Sequence, residues 1–208
     1  TTGGYNVAVG RSALENNTTA SSNTAVGYQS SYSNTTGSRN VAIGEVALQS
    51  NTTASRNVAI GRSALQNLNT TGETYNTAVG YNALASDTKG SLSTAIGTGS
   101  LQSQNFTSNT TTYNTAVGGY AGGNVTTGIN NTFIGGLAGN NTTTASNNTA
   151  VGYNALTSNT TGSENAGLSD STLQLNTTGN YNSAAGRGAL NVNTTGSNNS
   201  AFGYLALS

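Results

Sequence analysis

The chain has no Cys, Pro, Met, Trp or His, and only 6% of its 208 residues are charged. Without Cys there is no disulfide and no thiolate metal site, and the redox compartment leaves no mark. Without His the usual general base and metal ligand are missing, and the carboxylates Glu15, Glu45, Glu73, Asp87, Glu164 and Asp170 are scattered. No nucleophile–base pair or metal cluster is expected, so neither enzymatic activity nor a cofactor is expected. Six basic residues balance six acidic ones and none cluster, which argues against binding nucleic acid by neutralising phosphates. No apolar run approaches a membrane span and no leader-like start is visible. A chain beginning Thr1-Thr2-Gly3 is expected to be a mature product or a segment of something longer.

What remains is Gly, Asn, Thr, Ser and Ala, a composition that would suit disorder were it not strictly periodic. The unit is Asn-Thr-Ala-Val-Gly-Tyr-x-Ala-Leu-x-Ser-Asn-Thr-Thr-Gly-Ser-x, with starts near 6, 23, 40, 57, 76, 93, 114, 131, 148, 165, 182 and 199. Its bend glycine recurs as Gly10, Gly27, Gly44, Gly61, Gly80, Gly97, Gly118, Gly135, Gly152, Gly186 and Gly203, with Ser169 taking its place once. The spacing is seventeen except before Gly80 (nineteen) and Gly118 (twenty-one). The additional residues lie near 67–74 and 105–112, in one loop region.

The residue before each bend is apolar, from Val9, Val26 and Ile43 to Phe202, and is expected to form an inward ladder. Leu14, Leu48, Leu65, Leu84, Leu101, Leu156, Leu173, Leu190 and Leu207 form a second. Gly, Asn and Thr disfavour helix, so the expected fold is all-β: one parallel β-solenoid, or β-roll, of about twelve coils. At about 4.8 Å per coil it is a rod roughly 55 to 60 Å long. Asn6, Asn23, Asn40, Asn57, Asn76, Asn114, Asn131, Asn148, Asn165, Asn182 and Asn199, interrupted by Ser93, are expected to stack as an amide ladder. The absence of Pro agrees, since interior coils must donate their N–H groups. Alternating apolar pairs such as Ala42-Ile43 favour a sheet covered on both faces, as in a bundle of parallel rods. The run Gly118-Gly119-Tyr120-Ala121-Gly122-Gly123 is expected to be a thinned coil only.

The steps Asn40-Val-Ala-Ile-Gly44 and Asn57-Val-Ala-Ile-Gly61, followed by Ser63-Ala-Leu65, resemble the head repeats of YadA-like trimeric autotransporter adhesins and related phage and bacterial fibre proteins, in a unit longer than that family's usual one. The resemblance implies a trimeric β-roll on a cell surface or virion fibre that binds host matrix or glycans.

The Asn-Thr-Thr turns place Asn-x-Thr sequons at Asn17, Asn34, Asn51, Asn69, Asn109, Asn141, Asn159, Asn176 and Asn193, with Asn124-Val-Thr126 as a further one. Turn chemistry alone accounts for them; covalent glycans along an exposed edge are the functional alternative. Tyr28, Tyr81, Tyr153 and Tyr204 after the bend share a column with Arg11, Glu45, Arg62 and Arg187. That column is expected to be exposed, either as plain cover or as a sugar-stacking face. Thr rows also raise ice binding as a remote alternative. The chain ends at Leu207-Ser208, two columns short of the next turn, which favours head-to-tail self-association or a cut from a longer rod. The expected function is a structural part of an extracellular filament or surface fibre, with an adhesin head or tail-fibre shaft as the alternative.

Overall fold

A computed structural model describes residues 2–208. It contains no helix. Twelve three-residue strands form one parallel sheet: β1 (Val7–Val9), β2 (Thr24–Val26), β3 (Val41–Ile43), β4 (Val58–Ile60), β5 (Thr77–Val79), β7 (Thr94–Ile96), β9 (Thr115–Val117), β10 (Thr132–Ile134), β11 (Thr149–Val151), β12 (Ala166–Leu168), β13 (Ser183–Ala185) and β14 (Ser200–Phe202). Each pairs in register with the same strand of the next coil, Ala25 opposite Ala42 and Val26 opposite Ile43. The chain is therefore a β-solenoid of about twelve coils. Two further strands, β6 (Gly90–Ser91) and β8 (Thr110–Thr111), form a separate parallel pair.

The strand puts its middle residue inward, which corrects the expected inward Val/Ile ladder. Ala25, Ala42, Ala59, Ala78, Ala95, Ala116 and Ala150 are fully buried, whereas Val26 and Ile60 are half-buried and Ile43, Ile96 and Ile134 exposed. In a three-residue strand only the central side chain can face away from its neighbours. A coil this narrow admits a methyl group there. The second ladder is buried except at its last rung: Leu48, Leu65, Leu84, Leu101, Leu156 and Leu173 have no exposed surface, Leu14 and Leu190 are buried, and Leu207 is exposed.

Only one side of each coil is strand. The remainder is a chain of turns in which two positions after the bend adopt left-handed backbone, as at Gln29 (φ 51°) and Ser31 (φ 48°) or Ser63 (φ 58°) and Leu65 (φ 48°). Each left-handed non-glycine residue costs about 1–2 kcal/mol. Bonds to adjacent coils hold these turns: the Leu48 N–H donates to the Ala64 carbonyl (3.0 Å) and the Ser63 N–H to the Glu45 carbonyl (3.0 Å).

The bend glycines, by contrast, have φ between 121° and 139°. A Cβ on Gly27 would lie 2.5 Å from the carbonyl oxygen of Gly44, so both φ and the stacking distance favour glycine. Ser169 holds the same conformation at φ 126°.

The Asn column clamps coil to coil. Asn23 Oδ1 accepts the Asn40 N–H at 2.9 Å, and Asn23 Nδ2 donates to the Gly37 carbonyl at 2.9 Å. The same pair of bonds recurs at Asn40, Asn131, Asn148, Asn165 and Asn182. Asn6 and Asn76 also make both bonds, to the Ala20 and Gly90 carbonyls and from the Asn23 and Ser93 N–H groups, while Asn57 accepts the Asn76 N–H. Asn114 accepts from Asn131 and donates to the Gly128 carbonyl, and Asn199 donates its own N–H to Asn182. Amide-to-amide bonds supplement the clamp at only some rungs, such as Asn182 Nδ2 to Asn165 Oδ1 (3.1 Å). Most of the ladder's cohesion is side chain to backbone.

Gly118–Gly123 is more than a thinned coil. Phe133 replaces Ala in the strand column and is fully buried, and its ring fills the places where Leu stands in other coils. A Cβ on Gly122 would lie 2.7 Å from that ring and one on Gly139 2.3 Å. The missing side chains compensate for one large one.

Candidate functional site

The sequon asparagines fall into two structural classes. Asn34, Asn51, Asn159 and Asn176 are buried and form a second inward amide ladder. Asn51 Nδ2 donates to Asn34 Oδ1 and to the Ala54 carbonyl, both at 3.0 Å, and Asn176 Nδ2 donates to Asn159 Oδ1 and the Gly179 carbonyl at the same distances. Asn17 and Asn193, at the ends of these runs, are half-buried with Nδ2 turned to the carbonyls of Ala20 (3.3 Å) and Gly196 (3.0 Å). A glycan attaches through Nδ2, so these six positions are closed to it as the rod is folded. This removes more than half of the sites expected from sequence.

Asn69, Asn109, Asn124 and Asn141 are exposed. Here the inward column is occupied by Leu68, Gln104, Val125 and Thr142, all buried. The turn's Asn is displaced outward by one or more positions. The full inward column is thus Asn17, Asn34, Asn51, Leu68, Asp87, Gln104, Val125, Thr142, Asn159, Asn176 and Asn193. It was concealed in the sequence because Asn-Thr-Thr looks the same in either register.

Where the first Asn ladder breaks at Ser93, a buried polar network replaces it. Gln104 Nε2 donates to Asp87 Oδ2 (2.8 Å) and Ser93 Oγ (2.9 Å), and Asn114 Nδ2 donates to Gln104 Oε1 (2.8 Å). The Gly90 N–H donates to Asp87 Oδ1 (2.9 Å). Burial pushes the Asp87 carboxyl above its ordinary value, against the lowering effect of its bonds to Gln104 and the backbone of Gly90 and Lys89.

The column after the bend is exposed and its groups pair along the rod. The Arg11 and Arg62 guanidinium groups lie over the rings of Tyr28 and Tyr81, at 5.9 and 5.7 Å. Arg62 and Arg187 make ion pairs with Glu45 (3.3 Å) and Asp170 (3.2 Å). Such exposed pairs contribute little stability. The Val/Ile column lies along the outward face of the sheet as an apolar ribbon, with Ile43, Ile96, Ile134, Leu168 and Phe202 exposed.

The two insertions come together on one edge. They flank the coil that carries β6 and border an open notch of about 150 Å³ lined by Thr70, Thr71, Glu73, Thr74, Lys89, Ser91, Asn109, Thr110 and Thr111. Thr70 Oγ1 donates to Asn109 Oδ1 (2.6 Å), closing one loop on the other across 39 residues. Lys89 Nζ donates to the Asn69 carbonyl (2.9 Å). At the rim Glu73 accepts from Arg56 Nε (2.6 Å) and from the Tyr75 hydroxyl. These two bonds hold the Glu73 carboxyl below its ordinary value, Tyr75 contributing most, and the bond to Glu73 raises the Tyr75 hydroxyl. The sequence located both insertions but gave no sign that they meet.

Among the described residues no group of three or more acidic side chains could hold a metal ion, and no helix is long and apolar enough to cross a membrane. Comparison with protein-family models, with curated proteins and with solved structures gives no match.

Proposed function

We propose that this chain is a structural rod of an extracellular filament or surface fibre. The observation that carries the proposal is the sheet's continuity. All twelve coils pair in one register, and the two longer turns do not interrupt it, since β5 pairs with β7 and β7 with β9 as the other strands pair. Such a ladder grows by repeating one rung, and the Asn column adds its clamp at each step. Pairing of a further rod extends the same ladder without a new kind of contact.

Electron microscopy of the purified chain tests this. Filaments with an axial repeat of about 4.8 Å are expected; discrete rods at all concentrations would refute it.

An adhesin head or tail-fibre shaft is the second reading, favoured by the outward Val/Ile ribbon and by the resemblance to YadA-like heads. Three rods burying their ribbons together would form a parallel trimer, so sedimentation of a discrete trimer would favour it over the filament. Under either reading, glycan decoration is confined to Asn69, Asn109, Asn124 and Asn141, the four sequons with exposed amides.

A further inference from the structure

We propose that the notch between the two insertions binds a single carboxylated sugar residue, a hexuronate, with its carboxylate on Lys89 and its hydroxyls on Thr71, Thr111 and Glu73. The argument begins with where the repeat is broken. Nine of the eleven intervals between bends keep the seventeen-residue spacing with a short polar turn, and the two longer ones stand either side of one regular coil. The result is the concavity on that edge, every lining residue of which carries a hydroxyl, amide or charged side chain.

The charges within it are unequal. Glu73 is matched by Arg56. Lys89 has no carboxylate within 4 Å among the described residues, and its ammonium is held at the notch by one backbone carbonyl. A ligand carboxylate supplies the missing anion through a charge-assisted bond. The remaining groups suit a polyol: the exposed Thr71 and Thr111 hydroxyls both donate and accept, while the Glu73 carboxylate only accepts. A phosphate or sulfate cluster fits less well, because Glu73 at the rim opposes a second negative charge. The cavity's size admits one ring. The loops are braced before any ligand arrives by the Thr70–Asn109 bond and the β6–β8 pairing, so little ordering cost falls on binding.

The proposal is independent of the filament reading, since rods can polymerise without binding uronate and bind it without polymerising. The full chain, made in a host without N-glycosylation so that Asn109 is bare, is titrated with glucuronate, galacturonate, glucose and acetate while backbone amide NMR signals are followed. Shifts at residues 70–73, 89–91 and 109–111 are expected for the uronates, with glucose and acetate each weaker by about tenfold or more. Lys89→Gln is expected to reduce uronate affinity about tenfold with an unchanged circular dichroism spectrum. Thr111→Val, on the exposed rim, reduces it without touching the charge. No shift at millimolar uronate, shifts located elsewhere, or equal response to acetate would overturn the proposal.

Discussion

Replacing Phe133 by Ala restores the residue found at this column in the flanking coils, Ala116 and Ala150, yet it is expected to destabilise the rod. The ring occupies space that Leu side chains fill elsewhere, and the local glycines leave nothing to replace it. Removal of a fully buried Phe typically costs about 3–5 kcal/mol. The compensating change can be worked out from the same geometry. Gly122 and Gly139 have φ of 56° and 58°, close to the 48° and 52° of Leu101 and Leu156 in the adjoining coils, so their backbone already suits the Leu column. Burying a Leu side chain stabilises by about 1.5–3 kcal/mol, and removing a glycine's unfolded-state freedom adds about 0.4–1 kcal/mol. The left-handed backbone takes back about 1–2 kcal/mol. Two such substitutions therefore recover about 2–4 kcal/mol, most of the loss. In the presence of Phe133 the same substitutions place Cβ atoms 2.7 and 2.3 Å from its ring and must destabilise. Urea denaturation of the single, double and triple variants gives the coupling directly. If Gly122→Leu and Gly139→Leu have the same sign of effect with and without Phe133, the account of this coil is wrong.

Ser169→Gly is expected to raise the melting temperature by a few degrees, since it relieves about 1–3 kcal/mol of backbone strain at a glycine entropy cost of about 0.5–1 kcal/mol; an unchanged or lower value would show that the serine is not strained. Asp87→Asn is expected to stabilise at neutral pH, with the advantage shrinking as pH falls. Because burial raises the folded carboxyl above its ordinary value, the folded state binds more protons in that window and stability declines as pH rises through it. Thermal melts from pH 4 to 8 check this, and a wild-type contribution that grew with pH would contradict it. Expression in a host with N-glycosylation, followed by peptide mapping, is expected to find glycans only among Asn69, Asn109, Asn124 and Asn141. Occupancy of Asn34, Asn51, Asn159 or Asn176 would mean that modification precedes folding or that the second ladder is wrong.

The coil plan was legible because recurrence at seventeen residues is insensitive to details of conformation. Leu48, Leu65 and Leu84 identify themselves as one column whatever backbone joins them. Facing direction was less legible. Val26 and Ala25 are adjacent and both apolar, and hydrophobicity favours the larger as the core residue. The actual choice was made by coil width, a tertiary quantity. The left-handed turns were hidden for a related reason: Leu and Gln carry no signal for positive φ, and only bonds to neighbouring coils stabilise it there. The notch was least visible, since its two walls lie 39 residues apart in sequence and meet only through the stack.

The two amide ladders explain how so small a cross-section specifies one register. With Ala and Leu as its main apolar contents, a coil has too little volume for packing alone to distinguish alignments, and a slip of one residue would bring another small side chain inward. An inward Asn behaves differently. Displaced from its rung, Asn40 would bury an amide without the Asn57 N–H or the Ala54 carbonyl, a penalty of about 1–3 kcal/mol for each unsatisfied group. Because neighbouring coils share these bonds, a slip would incur the penalty at successive rungs. Where the sequence gives up one Asn at Ser93, it supplies Asp87 and Gln104 to the gap and lengthens the turns on either side, so loss of the regular clamp and creation of the notch occur at the same place. The interruption of the ladder thus frees one short segment of an otherwise uniform rod to carry a shape of its own.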